Sequence, residues 1–230
     1  MKRNTRSMKG LIILIFGLSA LDVSSQTQNV IVKFCPLDLA DVNMPTVQAG
    51  VEFKLFKNIT WYNEFGVKYT KNIVERYVDT SFVPSNGYKI KSELRYYLMN
   101  KGKSQFDGAY FAANVFFIKD MYNRQISYRQ NSDQVINTNY FGVRKNVLGF
   151  NAVFGYQTNL STKIYLDAYG GLGLRLRNIS TVHEEFNKNK DVLVNATDPK
   201  INTIGEKADV DGGFSIRPNL TLGFRIGFGL

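Results

Sequence analysis

The chain has 230 residues, with 44% hydrophobic residues, 17 Phe, 13 Tyr, 19 Gly, only 5 Pro and a formal net charge of +10. A mean hydropathy of −0.20 excludes a polytopic helical membrane protein, and a single cysteine, Cys35, excludes both a disulfide framework and a cysteine metal cluster. The basic excess is not gathered on a helix and carries no glycine-aromatic motif of the RNA-binding type, so nucleic acid is not an expected partner.

In chain order, Lys2, Arg3, Arg6 and Lys9 form a basic stretch before an apolar run at residues 11–21 and the small residues Val23, Ser24 and Ser25. This reads as a secretory signal peptide over residues 1–25, cleaved after Ser25, with a mature domain over residues 26–230. The run is shorter than the ~20 apolar residues a spanning helix needs. Losing these four bases, together with Asp22, lowers the net charge from +10 to +7. The remainder suits anionic lipid or polysaccharide.

Beyond the leader the hydrophobic period is two, and no helix is expected. Residues 29–35 form the first and shortest segment, on which Cys35 reads as a buried, inert thiol. Residues 46–56 put Val47, Ala49, Val51, Phe53 and Leu55 on one face and Gln48, Gly50, Glu52 and Lys54 on the other. After a Lys57-Asn58 turn, residues 60–70 set Phe65, Val67 and Tyr69 against Tyr62, Glu64, Gly66 and Lys68. Residues 88–99 set Tyr88, Ile90, Leu94, Tyr96 and Leu98 against Lys89, Lys91, Glu93 and Arg95. Residues 108–118 are apolar on both faces apart from Asn114. Residues 147–158 and 162–177 alternate again, the latter with Asp167 and Arg175 on the polar side. Residues 220–230 end the chain with six large apolar residues on one face and Thr221, three glycines and Arg225 on the other.

Alternate connections are short: 57–59, 100–107 and 159–161. The others, 36–45, 71–87, 119–146 and 178–218, are longer and polar. Compact domains seldom carry loops beyond about 12–15 residues; in an up-and-down array these would all lie at one end. A sheet in lipid must pair all its backbone groups and therefore closes into a barrel, and about ten tilted residues per strand suffice to cross. The expected fold is all-β: an eight-stranded antiparallel up-and-down transmembrane barrel, its narrow interior filled by side chains.

The stretches "VKFCPLDL", "PTVQAGVEFKLFKNITWYNEFGVKY", "GYKIKSELRYYL" and "PNLTLGFRIGFGL" resemble the small Gram-negative outer-membrane β-barrel proteins of OmpA/OmpX-like architecture, over roughly residues 29–230. Members of such families often have no assigned activity. The resemblance implies an integral protein of the bacterial outer membrane that contacts membrane lipid, lipopolysaccharide and the barrel-assembly machinery, and that offers its long loops 119–146 and 178–218 to an extracellular ligand. Such barrels usually end on an aromatic residue, whereas this chain ends on Leu230 with Phe228 two places earlier.

On this reading the lumen collects Glu52, Lys54, Glu64, Lys68, Lys89, Lys91, Glu93, Arg95, Asp167, Arg175 and Arg225, a structural network of salt bridges, since buried charges must be paired. The acids are outnumbered, so some of the bases face a loop or the rim. Trp61, Tyr69, Tyr88, Tyr96 and Tyr156 are expected to form aromatic girdles. No catalytic, cofactor or metal-binding residue is expected, and no cofactor. The lone His183, in "TVHEEF", has Ser180 three residues before it and reads as a solvated loop residue, not a base for a serine nucleophile. Gly170-Gly171-Leu172-Gly173 lies in a strand pattern and is no nucleotide cradle. The runner-up is a soluble lipocalin-like barrel with its apolar face inward around a small hydrophobic ligand; a lipid A-modifying barrel enzyme is the third reading.

Overall fold

Alternating residues form strands where one face can be buried and the other matched to its surroundings. The computed structural model describes residues 29–41, 44–69, 82–98, 106–130, 135–187, 189–194 and 212–230; the expected signal peptide lies outside them. Among the described residues the strands are β1 (Val30–Phe34), β2 (Thr46–Phe56), β3 (Ile59–Lys68), β4 (Asn86–Tyr97), β5 (Gly108–Gln130), β6 (Ile136–Asn159), β7 (Ile164–Val182), β8 (Asp191–Leu193) and β9 (Gly213–Gly229). Each strand from β1 to β7 pairs antiparallel with the next, β7 pairs with β9, and β9 pairs back onto β1, closing a ring of eight. The three-residue β8 lies outside the ring, on the far end of β5.

The stagger of the ring can be read from its register. Starting at Val32, the partners run Val51, Asn63, Ser92, Val115, Phe150, Leu174 and Pro218. Val32 itself pairs with Phe228 on the same β9 strand. One circuit therefore shifts the register by ten residues, from 218 to 228. Eight strands with such a shear close only if they tilt, by about 35–45° to the axis.

The ring is closed by its shortest strand. Pro36 cannot donate to a ladder, and β1 gives way to a short 3-10 helix, Pro36–Ala40, that packs against β2 and β9. Among the described residues β9 pairs with β1 through Ile226, Gly227, Phe228 and Gly229, and residues 213–225 are paired on the β7 side alone.

Near the short turns the wall is polar inside and apolar outside. Gln48, Glu52, Thr60, Glu64, Glu93, Arg95, Asn114, Gln157, Asp167 and Arg225 are buried. Phe53, Trp61, Phe65, Leu94, Phe111, Phe154, Leu222 and Phe228 on the alternate positions are exposed. Farther up β5 and β6 the pattern reverses. Tyr122, Ile126, Phe141 and Val143 point inward with Ile179, and Phe186 and Leu193 pack on them. The outward positions become Lys119, Gln125, Arg144 and Asn146, all exposed.

This reversal corrects two expected loops. Residues 119–146 are mostly not a loop: β5 and β6 continue paired from Lys119↔Asn146 to Arg129↔Ile136 as one long hairpin. Of residues 178–218, β7 runs on to Val182 and β9 begins at Gly213. On β5 and β6 apolar-out alternation stops before the strands do, while backbone pairing continues; on β9 it already begins at Phe214 and Ile216, ahead of the expected residue 220.

Four cross-strand pairs hold β9 to β1. Truncation before Ile226 removes all of them and is expected to leave no closed ring. The reading is amide hydrogen exchange of β1 and β2 in detergent: protection lost throughout both strands is the expected result, and protection equal to that of the intact chain would show that the ring closes elsewhere.

Candidate functional site

The inward positions of the lower ring bring together four acids, Glu52, Glu64, Glu93 and Asp167, and four bases, Lys33, Lys91, Arg95 and Arg225. Adjacent strands deliver these residues at nearly the same level: Glu52 opposes Tyr62, Tyr62 opposes Glu93, and Asp167 opposes Arg225. Lys33 Nζ lies 2.6 Å from Glu52 and 2.8 Å from Asp167. Arg95 reaches Glu93 at 2.7 Å, Asp167 at 2.9 Å and Glu52 at 3.2 Å. Arg225 reaches Glu93 at 2.6 Å, Glu64 at 3.2 Å and Asp167 at 3.3 Å. Lys91 takes the other oxygen of Glu64 at 2.7 Å. The eight formal charges cancel.

Tyrosines seal this cluster. The Arg95 guanidinium lies between the rings of Tyr62 and Tyr110, 4.6 Å from each centroid. Arg225 lies between Tyr62 and Tyr169, at 4.5 and 3.8 Å. Stacking of this kind strengthens when the cation is desolvated. The phenols of Tyr62, Tyr97 and Tyr110 donate to Glu64, Glu52 and Asp167 at 2.7, 2.9 and 2.7 Å. Thr60 donates to Glu52 at 2.5 Å, and the Gln157 carbonyl oxygen accepts from both Lys33 and Arg95. The rings fit because glycines face them: a Cβ at Gly155 would lie 2.3 Å from the Tyr110 ring, and one at Gly223 would lie 2.5 Å from the Tyr169 hydroxyl.

Of the expected lumen residues, Glu52, Glu64, Lys91, Glu93, Arg95, Asp167 and Arg225 belong to this plug. Lys68 and Lys89 face inward higher up and use acids outside the expected set: Lys68 pairs with Asp120 at 2.8 Å, and Lys89 with Asp41 at 2.7 Å and Asp38 at 3.6 Å. Two assignments need correction. Lys54 is half-buried at the short-turn end and pairs with no acid among the described residues. Arg175 is exposed and stands opposite Arg217, not opposite a carboxylate. Sequence reasoning missed Lys33, which is fully buried at the centre of the plug. Its signal was its alternation with Ile31 and Cys35, too brief to weigh on a five-residue strand.

The aromatic residues expected in girdles divide between two levels. Trp61, Tyr96 and Tyr156 are exposed near the short-turn end, and Tyr69, also exposed, and the half-buried Tyr88 lie toward the other end. Trp61 Nε1 donates to Ser92 at 2.8 Å, and the Tyr69 hydroxyl donates to the Leu39 carbonyl at 2.8 Å.

The plug offers little chemistry of its own, since every acid is held by a base. Cys35, Asp38 and Glu64 do present ligand atoms within 4.8 Å of one another. Glu64 is already bound by Lys91 and Arg225, and two fixed cations oppose a metal ion there. His183, at φ 61°, sets its ring on Phe82 with centroids 4.9 Å apart. Among the described residues no serine hydroxyl is hydrogen-bonded to that ring.

Comparison with known families finds one match: the profile described as Protein of unknown function (DUF3575) covers residues 11–201. No curated protein and no solved structure matches the chain.

Asp167 joins Lys33, Arg95, Arg225 and Tyr110. Removing one partner of a buried pair costs about 3–5 kcal/mol, because the other charges remain buried. Asp167→Ala is expected to destabilise the folded chain by about that amount in urea unfolding, while Arg175→Ala stays within roughly 0.5 kcal/mol, as surface substitutions do. Equal effects of the two substitutions would refute the assignment of the plug.

Proposed function

The chain belongs to the DUF3575 family, whose function is unknown, and we propose that it is an integral protein of a Gram-negative outer membrane, a β-barrel with a structural or surface-interaction role and no catalysis of its own. One observation carries the reading: the reversal of polarity along the wall. Around the lower ring the charges are sealed inside and the large apolar side chains face out. Higher up, on β5 and β6, apolar residues turn inward and Lys119, Gln125, Arg144 and Asn146 face out. A wall in water throughout has no reason to be apolar outside in one zone only. A wall crossing a lipid layer and then entering water has that reason.

The closed ladder supports the same reading, because a spanning sheet cannot leave edges in hydrocarbon. The packed ionic lumen is the opposite of the apolar chamber a lipocalin-like carrier needs, and the stacked His183 gives no support to a lipid A-modifying enzyme. Export by the N-terminal leader, passage through the barrel-assembly machinery and contact with membrane lipid and lipopolysaccharide follow from this proposal. The surface offered to other molecules then includes the β5–β6 hairpin with β8 on its edge, where a long loop over residues 119–146 was expected.

Such a barrel should be recovered in the outer-membrane fraction and run at two mobilities, one before and one after boiling in SDS. A soluble periplasmic protein with a single mobility would overturn the proposal. In planar bilayers the wild-type chain is expected to show no stable conductance, because four acids and four bases close the lumen; steady single-channel currents would show that the plug is not a seal.

A further inference from the structure

Above the plug the inward face of β7 and β9 carries three arginines. Arg175 and Arg217 are direct partners in the antiparallel register, and Arg177, two residues along the same face, opposes Ser215. Like charges placed opposite each other destabilise a strand pair, and Arg175 stands in the field of both other arginines. Arg177 Nε donates to Ser215 Oγ at 3.3 Å. Among the described residues none of the three pairs with a carboxylate, whereas Lys33, Lys68, Lys89, Lys91, Arg95 and Arg225 all do. Arg175 and Arg217 are exposed and Arg177 is half-buried.

The trio is separated from the plug by a row of asparagines. Asn219 donates to Asn151 at 2.8 Å, Asn151 to Asn114 at 3.0 Å, and Asn114 to Glu93 at 3.3 Å. Asn219 reaches Asn151 across Gly173, where a Cβ would lie 2.5 Å from the Asn151 side-chain oxygen. The acids of the plug are thus occupied below the row and do not serve the arginines above it.

Height and access complete the picture. Arg217 lies eleven residues before Phe228 on one strand, which is about 28 Å along the axis at ~3.3 Å per residue and a ~40° tilt. An outer apolar band is about 25 Å tall, so the trio stands at its upper edge. On the outer face of the same strand Phe214, Ile216, Leu220 and Leu222 are exposed. Among the described residues the upper β9 edge between these two faces has no strand partner on the β1 side, which gives a headgroup a route from one face to the other.

We propose that Arg175, Arg177 and Arg217 form a phosphate site at the rim of the barrel, and that its occupant is the headgroup of a phosphorylated lipid whose chains lie along Phe214, Ile216, Leu220 and Leu222. Guanidinium forks match phosphate oxygens bidentately, and a phosphomonoester brings close to two negative charges and three acceptor oxygens. A single carboxylate leaves most of the trio's charge unmatched. This assignment rests on the membrane-barrel reading.

The test uses the full mature chain in uncharged detergent micelles doped with either phosphatidic acid or phosphatidylcholine. Retained lipid is counted by native mass spectrometry, and inorganic phosphate is titrated separately. The wild type is expected to retain phosphatidic acid at least tenfold over phosphatidylcholine, and R175A/R177A/R217A to lose that preference while still shifting mobility on boiling. Binding of inorganic phosphate as well identifies the phosphate group as sufficient; retention of phosphatidic acid alone identifies the lipid as the ligand. No preference in the wild type, or the same preference in the triple variant, overturns the site. Should the triple variant not fold, Arg217→Gln takes its place, with a smaller loss of preference expected and an unchanged preference overturning the site. A chain that stays soluble without detergent defeats the membrane reading instead; the phosphate titration then decides the site alone, and binding that does not depend on the arginines overturns it.

Discussion

Charge neutrality at the axis is the constraint on which the rest of the ring depends. Four acids and four bases sit where water is excluded, and a charge of that kind without a partner is costly enough to unfold a domain of ordinary stability. The partners come from six of the eight ring strands: Lys33 from β1, Glu52 from β2, Glu64 from β3, Lys91, Glu93 and Arg95 from β4, Asp167 from β7 and Arg225 from β9. Strand pairs such as β1 with β2, or β7 with β9, are neutral by themselves, but Lys33–Asp167, Arg95–Asp167 and Arg225–Glu64 join strands that are not neighbours in the ladder, so the full ionic cluster forms only in the complete ring. A hydrophobic core would do this less selectively, because apolar contacts are non-directional. Here each guanidinium must meet both its carboxylates and its tyrosine faces.

The short β1 is consistent with that view. It supplies only four pairs to β9, but it also places Lys33 between Glu52 and Asp167, carboxylates from the two sides of the closure. The seam is therefore joined through its backbone and across the lumen. Above Phe34 the chain leaves the ladder as a 3-10 turn, where Leu37 is exposed while Asp38 and Asp41 approach Lys89. The apolar-out, charge-in arrangement survives there without a strand.

The lower ring was legible in the sequence because two requirements act on alternate residues. Residues 46–56 form β2 with the expected bounds, since Val47, Phe53 and Leu55 on one face and Gln48 and Glu52 on the other leave little doubt about the period. The upper ring was less legible for a physical reason. From Lys119 onward the outer face of β5 becomes polar while Tyr122, Ile126 and Tyr128 turn inward, so the pattern changes sign midway along one strand, and a polar stretch without apolar-out alternation reads as a loop. Asp120, the partner of Lys68, fell within the expected loop and was missed for that reason. Arg217 fell within the expected connection 178–218 for a different reason: Phe214 and Ile216 alternate with Ser215 and Arg217 there, but the run is brief and ends at Pro218. Arg175 was placed on the correct face, but no alternation pattern says whether an inward base has an acid within reach.

These errors bear on where function lies. Sequence periodicity records the contrast between the two faces of a strand, which is strongest where one face is sealed and the other apolar. The part of the barrel it describes best is the part whose charges are already spent on one another. The three arginines of β7 and β9, which pair with no carboxylate among the described residues, lie above the plug, where alternation alone does not say whether an inward charge has a partner. In the plug each acid has its base, each guanidinium its aromatic faces and each inward ring a place to sit; a ligand entering there would have to displace an ion pair and leave its partner buried and uncompensated. At the rim the same guanidinium chemistry is exposed and unbalanced, and an anion arriving there relieves a repulsion without breaking a contact. On the proposed reading, recognition belongs to the rim and the projecting hairpin, while the lumen holds the ring shut.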